Sequence, residues 1–217
     1  MCLLGLKILL GDSPCLTGFD PFPSCCFPFL LTSKETSKET SKMITVGEPF
    51  PQFKVKACNG LTNDDLTEFT NDSFDGKWKV FFFYPKDFTF ICPTEIVEFS
   101  NNVEEFADRD TIVIGGSADN EFCHMAWRND HEDLRDLKLP LIAAPKLARE
   151  LGILDQEENV CLRATFIVDP HGVVQYSAAN NLSVGRNVKE IIRILDAIQS
   201  DELCPCNWNK GDATLQV

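Results

Sequence analysis

Between Trp78 and Tyr84 the chain reads Trp-Lys-Val-Phe-Phe-Phe-Tyr and stops at Pro85. Such a run of aromatic and β-branched residues predicts a strand buried on both faces. From Pro93 to Asp108 the period changes. Ile96, Val97, Phe99, Val103 and Phe106 recur at helical spacing, and the proline suits the first helical position, where its missing N–H is an orphan in any case. Thr111 to Gly115 predicts a second buried strand and Asn120 to Arg135 a second helix. Ala164 to Asp169 and Val173 to Ser177 flank Pro170-His171-Gly172 as the arms of a β-hairpin. In the last helix, from about Asn187 to Gln199, Val188, Ile191, Ile192, Leu195 and Ile198 share one face.

Strand, helix, strand, helix, hairpin and helix is the order of an α/β, thioredoxin-like sandwich, with a central mixed β-sheet flanked by helices. The length of 217 residues, 44% of them apolar, allows one compact domain with appendages and excludes a collagen-like or wholly disordered chain. The domain is expected over residues 43–200, with residues 201–217 as a C-terminal redox tail. Residues 1–42 differ in pattern: an apolar opening, a stretch rich in Phe, Pro and Cys, then a repeat of Thr-Ser-Lys-Glu. They read as a disordered extension or as translation upstream of a start at Met43. A targeting segment is the competing reading, weakened by the absence of Arg and of a small-residue cleavage site. Lysines and acids balance there, so the net charge of −13 belongs to the rest of the chain and disfavours nucleic acid and anionic membranes as partners.

The ten cysteines are scattered rather than evenly framed, which speaks against a secreted disulfide scaffold and for a reducing, cytoplasmic setting. One of them stands out by position. Pro85-Lys-Asp-Phe-Thr89-Phe-Ile-Cys92-Pro-Thr-Glu95 joins the first buried strand to a helix whose first turn is expected to follow Cys92. Unpaired N–H groups and the macrodipole at a helix start stabilise a thiolate. Thr89, three residues earlier, can turn its hydroxyl toward the sulfur or its substrate. The alternative is a buried cysteine at an ordinary strand–helix turn.

Pro85, Thr89 and Cys92 match the Pro-x-x-x-Thr-x-x-Cys motif of peroxiredoxins. Ser117-x-Asp-x-x-Phe-x-His124-x-x-Trp127 and Arg163-Ala-Thr-Phe-Ile-Val-Asp-Pro also resemble that family, and the ending Leu-Cys204-Pro-Cys206 resembles its alkyl hydroperoxide reductase C group with a C-x-C tail. The resemblance implies that Cys92 attacks peroxide and becomes a sulfenic acid. It also implies that Thr89 and Arg163 hold the peroxide, that Pro85 shields the sulfur, that Glu95 orders the network and that Arg186 supplies a second guanidinium. The rival reading of Arg163, Glu95 and Arg186 is as solvated surface charges, though Arg163, at the start of the apolar run Ala-Thr-Phe-Ile-Val, is placed to reach a neighbouring site. A free cysteine with a pKa of about 8.5 is about 3% thiolate at pH 7, so full ionisation accounts for only about thirtyfold in rate. The rest must come from alignment and from donors aimed at the developing charge.

Cys204 and Cys206 follow the last helix in a polar, Trp-containing tail, where a mobile thiol can approach a sulfenic acid. One or both are expected to resolve Cys92, with Cys204 favoured; Cys204 and Cys206 could instead ligate a soft metal, but no second pair completes such a site. The resemblance further implies a disulfide across a homodimer, rings of dimers, and a thiol reductant protein of the thioredoxin or alkyl hydroperoxidase D type. No metal or other cofactor is expected. His124 and Trp127 suit the core or an interface between copies rather than chemistry, and Cys58, Cys123 and Cys161 match no motif position. The rivals are a thioredoxin-type disulfide oxidoreductase, which needs a C-x-x-C that Cys92-Pro-Thr-Glu95 lacks, and a ring-forming chaperone scaffold in which the cysteines are bystanders.

Overall fold

The computed structural model describes residues 42–216. The reading of residues 1–42 therefore lies outside the described residues, apart from Lys42. One mixed sheet of seven strands runs through the domain: β1 (Lys54–Cys58), β2 (Leu66–Thr70), β3 (Trp78–Phe83), β4 (Thr111–Ser117), β5 (Leu141–Ala143), β6 (Arg163–Val168) and β7 (Val174–Asn180). Their spatial order is β2-β1-β5-β4-β3-β6-β7. β3, β4 and β5 are parallel, and the pairs β1–β2, β1–β5, β3–β6 and β6–β7 are antiparallel. The helices are α1 (Ile91–Asn101), α2 (Val103–Ala107), α3 (Glu121–Asp130), α4 (Pro145–Glu150) and α5 (Val188–Gln199).

The interior strand β3 is buried on both faces, and strand alternation sorts its side chains. Val80, Phe82 and, just beyond it, Tyr84 enter one core cluster with Ile96 and Phe99 of α1, Trp127 of α3, and Ile191 and Leu195 of α5. Phe81 and Phe83 enter the other with Phe50, Leu147 and Ala148. The Phe82 and Phe99 rings stack at 4.0 Å, fixing α1 on the sheet. Gly115 permits this packing, since a Cβ there would lie 2.7 Å from the Phe82 ring. Neighbouring β3 and β6 are in register at Phe82–Thr165. Arg163, at the start of β6, thus comes level with Tyr84 at the end of β3, where the chain turns toward Cys92.

Two expected helices are divided. The stretch from Pro93 to Asp108 begins earlier, at Ile91, and breaks at Asn102, whose side-chain amide donates to the Glu98 carbonyl at 2.7 Å and displaces regular helix geometry. The stretch from Asn120 to Arg135 ends as an α-helix at Asp130, with His131 extended and a 3₁₀ turn at Glu132–Leu134. There the Arg135 guanidinium donates to the Asn129 carbonyl at 3.0 Å, satisfying an acceptor at the helix end.

The tail also differs from the mobile segment expected. Leu203 bridges to Leu215, and Trp208 is buried. Arg193 of α5 donates to the Trp208 carbonyl at 2.8 Å, while Lys210 pairs with Asp196 at 3.1 Å. The C-terminal segment is a clip held on α5 by these two ion-assisted contacts.

Candidate active site

Pro85 ends β3, because it cannot donate to a neighbouring strand, and residues 84–90 form a loop tied at its centre. Asp87 accepts from the Tyr84 hydroxyl at 3.0 Å and lies 2.7 Å from His124 Nδ1 through its other oxygen. Its backbone N–H donates to the Asp119 carboxylate at 2.9 Å. His124 Nε2 faces the Ile142 carbonyl at 3.1 Å. Tyr84, Asp87 and His124 are all buried. Acceptors thus face both nitrogens of the ring and hold it from two sides. The expectation of a core His124 and Trp127 agrees with their burial. What the sequence reading missed is that Asp87, inside the motif, is the anchor His124 holds.

Beyond Asp87 the loop carries Phe88 in the left-handed region, at φ +54, a conformation that costs a non-glycine residue about 1 kcal/mol. Helix α1 starts at Ile91, so Cys92 and Pro93 are its second and third residues rather than preceding or opening it. This start is possible because the first four helical N–H groups have no intrahelical acceptor, so Pro93 still forfeits nothing. No acid lies in that first turn, which leaves the positive end of the helix to the sulfur. Cys92 is 1% exposed.

Arg163 Nη1 approaches the Cys92 Sγ to 3.4 Å and donates to Glu95 Oε2 at 2.6 Å. Its Nε donates to the Leu182 carbonyl at 2.8 Å, fixing the guanidinium plane. Arg186 grips the same carboxylate with both arms, Nε to Oε1 at 2.8 Å and Nη2 to Oε2 at 2.9 Å, and adds its backbone N–H at 3.0 Å. Its remaining nitrogen donates to the carbonyls of Phe83 and Ala164, and the guanidinium lies over the Phe82 ring at 5.3 Å. Burial pulls the Arg186 pKa down, against the counter-effect of Glu95. Two buried guanidiniums share one carboxylate, so one surplus positive charge faces the sulfur. Arg163, Glu95 and Arg186 are therefore not surface charges. Glu95 stands where the second thiol of a C-x-x-C would stand.

Thr89 does not turn its hydroxyl to the sulfur: it donates to the Lys86 carbonyl at 2.9 Å, and no hydrogen bond joins it to Cys92. Pro85 is half-buried. The half-buried Cys204 faces the end of α5, its Sγ 3.4 Å from Ser200 Oγ, and Cys206 is exposed. Neither contributes a hydrogen bond to the Cys92 site within one chain. Cys58 and Cys161 are buried. Burial raises the three remaining thiols among the described residues, Cys58, Cys123 and Cys161, the last two to about 12.

The model of the AhpC/TSA family matches residues 46–177. Alkyl hydroperoxide reductase C of Mycolicibacterium smegmatis is 47% identical over 188 residues, which cover 81% of this chain and 95% of that protein. The chain belongs to the AhpC/TSA family. Among solved structures, Mycobacterium tuberculosis AhpC superposes with a TM-score of 0.71 at 44% identity, covering 77% of this chain and 100% of that one. The reduced 2-Cys peroxiredoxin of Plasmodium vivax gives 0.73 at 33% identity, covering 80% and 93%. These likenesses extend over the thioredoxin-like fold, and as a member of the AhpC/TSA family the protein is an enzyme, a thiol peroxidase; the oxidoreductase and scaffold readings are not favoured.

Proposed function

We propose that Cys92 is the peroxide-reacting thiolate and that the buried Arg163–Glu95–Arg186 cluster is the electrostatic half of the site. The observation that carries this is the 3.4 Å approach of Arg163 Nη1 to the sulfur while Glu95 holds Arg163 from behind. The thiolate attacks the terminal oxygen of hydrogen peroxide or an organic hydroperoxide, the O–O bond breaks, and water or an alcohol leaves as Cys92 becomes a sulfenic acid. Arg163 is already aimed at the developing charge and needs no reorganisation. On this reading Pro85 excludes water from the sulfur. Thr89, its proton engaged by Lys86, offers a lone pair to the peroxide O–H.

Cys204 then condenses with the sulfenic acid of a second copy of the chain, releasing water and forming an interchain disulfide, with Cys206 the second thiol of the tail. A dithiol reductant protein, thioredoxin-like or of the alkyl hydroperoxidase D type, restores both thiols, and the homodimers assemble into rings. Cysteine usage supports a cytoplasmic setting; among the described residues no helix is long and apolar enough to cross a membrane. Peptide mass spectrometry after one equivalent of peroxide tests the scheme. A Cys92–Cys204 peptide across two chains is expected, and under excess peroxide the Cys204→Ser, Cys206→Ser double variant should accumulate sulfinic acid at Cys92. A double variant that keeps cycling with a dithiol and stays unoxidised removes the tail from the cycle.

The same reading keeps residues 1–42 outside the domain. Removing residues 1–42 should leave peroxidase rate and melting temperature nearly unchanged. A fall of more than about 4 °C, roughly 1 kcal/mol at this size, would show that the segment packs on the domain.

A further inference from the structure

Phe90 is 94% exposed, two residues before the buried Cys92. It occupies the N-cap position of α1 without a side-chain cap bond. Phe88, by contrast, rests on Trp127 at 5.9 Å between ring centres. A second apolar surface surrounds the other thiol. Ile194, Ala197, Ile198, Leu203 and Leu215 line a groove of about 680 Å³ that also contains Cys204. Leu203 and Leu215 are 54% and 58% exposed.

We infer that, in the disulfide-linked state, Phe90 of one protomer seats in the Cys204 groove of the second copy. This rests on the interchain disulfide proposed above, and the connectivity of the chain requires the approach. A disulfide holds its two Cα atoms within about 7 Å, and Phe90, two links from Cys92, lies within about 8 Å of it. Cys92 cannot leave its 1% exposed position without unwinding the first turn of α1. That movement breaks the Thr94 hydroxyl bond to the Ile91 carbonyl, 2.7 Å, and the Arg163 contact to sulfur. The freed turn carries Phe90 with it. Burial of the ring against Leu203 and Ile198 then offsets the lost contacts and favours the open, linked state. In the bond-forming step the Cys204 thiol attacks the sulfenic sulfur; hydroxide leaves and combines with the thiol proton as water, so Cys204 is oxidised and the Cys92 sulfur reduced.

The test uses the full chain with Phe90→Ala, since serine at an N-cap would itself stabilise the helix. Stopped-flow measurement of the first peroxide reaction should match wild type within about twofold, because Phe90 touches nothing in the closed site. The Cys92–Cys204 disulfide equilibrium against a dithiol buffer should shift toward the thiols by about ten- to a hundredfold, about 30 mV for each tenfold. Sulfinic acid at Cys92 should rise under excess peroxide. Leu203→Ala should give a shift of the same sign, the double variant should add less than the sum of the two, and Phe90→Leu should recover most of the wild-type equilibrium. A wild-type disulfide whose equilibrium Phe90→Ala leaves unmoved overturns this inference alone. A wild type that forms no Cys92–Cys204 disulfide overturns both the inference and the resolving scheme beneath it.

Discussion

Cys92→Ser is expected to hold the fold and to consume peroxide at under about 1% of the wild-type rate, because a serine hydroxyl stays protonated and is a far weaker nucleophile than a thiolate. No other thiol of the domain can take over. Cys58 and Cys161 are buried, and Cys123 and Cys161 are pushed up to about 12, first by burial and then by neighbouring carboxylates. Cys204 and Cys206 lie apart from Arg163, the donor aimed at the reacting sulfur. A peroxide-consumption assay, run beside a thermal melt, gives the answer. Residual turnover above about 5% with an unchanged melt would place the nucleophile elsewhere.

Glu95→Gln should cost both stability and rate. The substitution keeps the shape of the side chain but leaves two buried guanidiniums without a carboxylate and turns an amide N–H₂ toward one of them. Removing one partner of a buried ion pair costs about 3–5 kcal/mol, and in a domain of this size that lowers the melting temperature by about 10 °C. Arg163 then loses the 2.6 Å contact that aims Nη1 at the sulfur, and loss of one aligned donor is worth about a hundredfold in rate. The two readouts separate two ideas. An unchanged melt would show that the carboxylate is not holding the guanidiniums. A lowered melt with full peroxidase rate would show that the cluster is structural and that Arg163 does not stabilise the transition state.

The parts of this molecule that were legible in the chain are those whose information is local. Trp78 to Tyr84 announces a buried strand, because its side chains enter apolar clusters on both faces of the sheet. Residues 188–199 announce a helix, because one side is buried and the other wet. Strands β1, β2 and β5 and helix α4 escaped notice for the opposite reason. Lys-Val-Lys-Ala-Cys and the three-residue β5 carry little pattern of their own, and their conformation comes from ladders to partners far along the chain, such as Ala57 opposite Ile142. The division of the expected helices at Asn102 and His131 goes with local side-chain bonds to carbonyls, Asn102 to Glu98 and Arg135 to Asn129, which hydrophobic period cannot register.

The candidate site divides along the same line. The sequence by itself determined that a cysteine follows a buried strand and begins a helix, with Pro85, Thr89 and Glu95 at fixed offsets, because those residues lie within one turn-and-helix segment. Only the tertiary structure decided what faces the sulfur. Arg163 and Arg186 reach Cys92 and Glu95 across 71 and 91 residues of chain, brought there by the β3–β6 register and by the packing of α5. A guanidinium that local sequence could leave in solvent becomes part of a buried cluster with one positive charge to spare for the sulfur, because Glu95 and two strand-end carbonyls lie in the place where the fold sets it down.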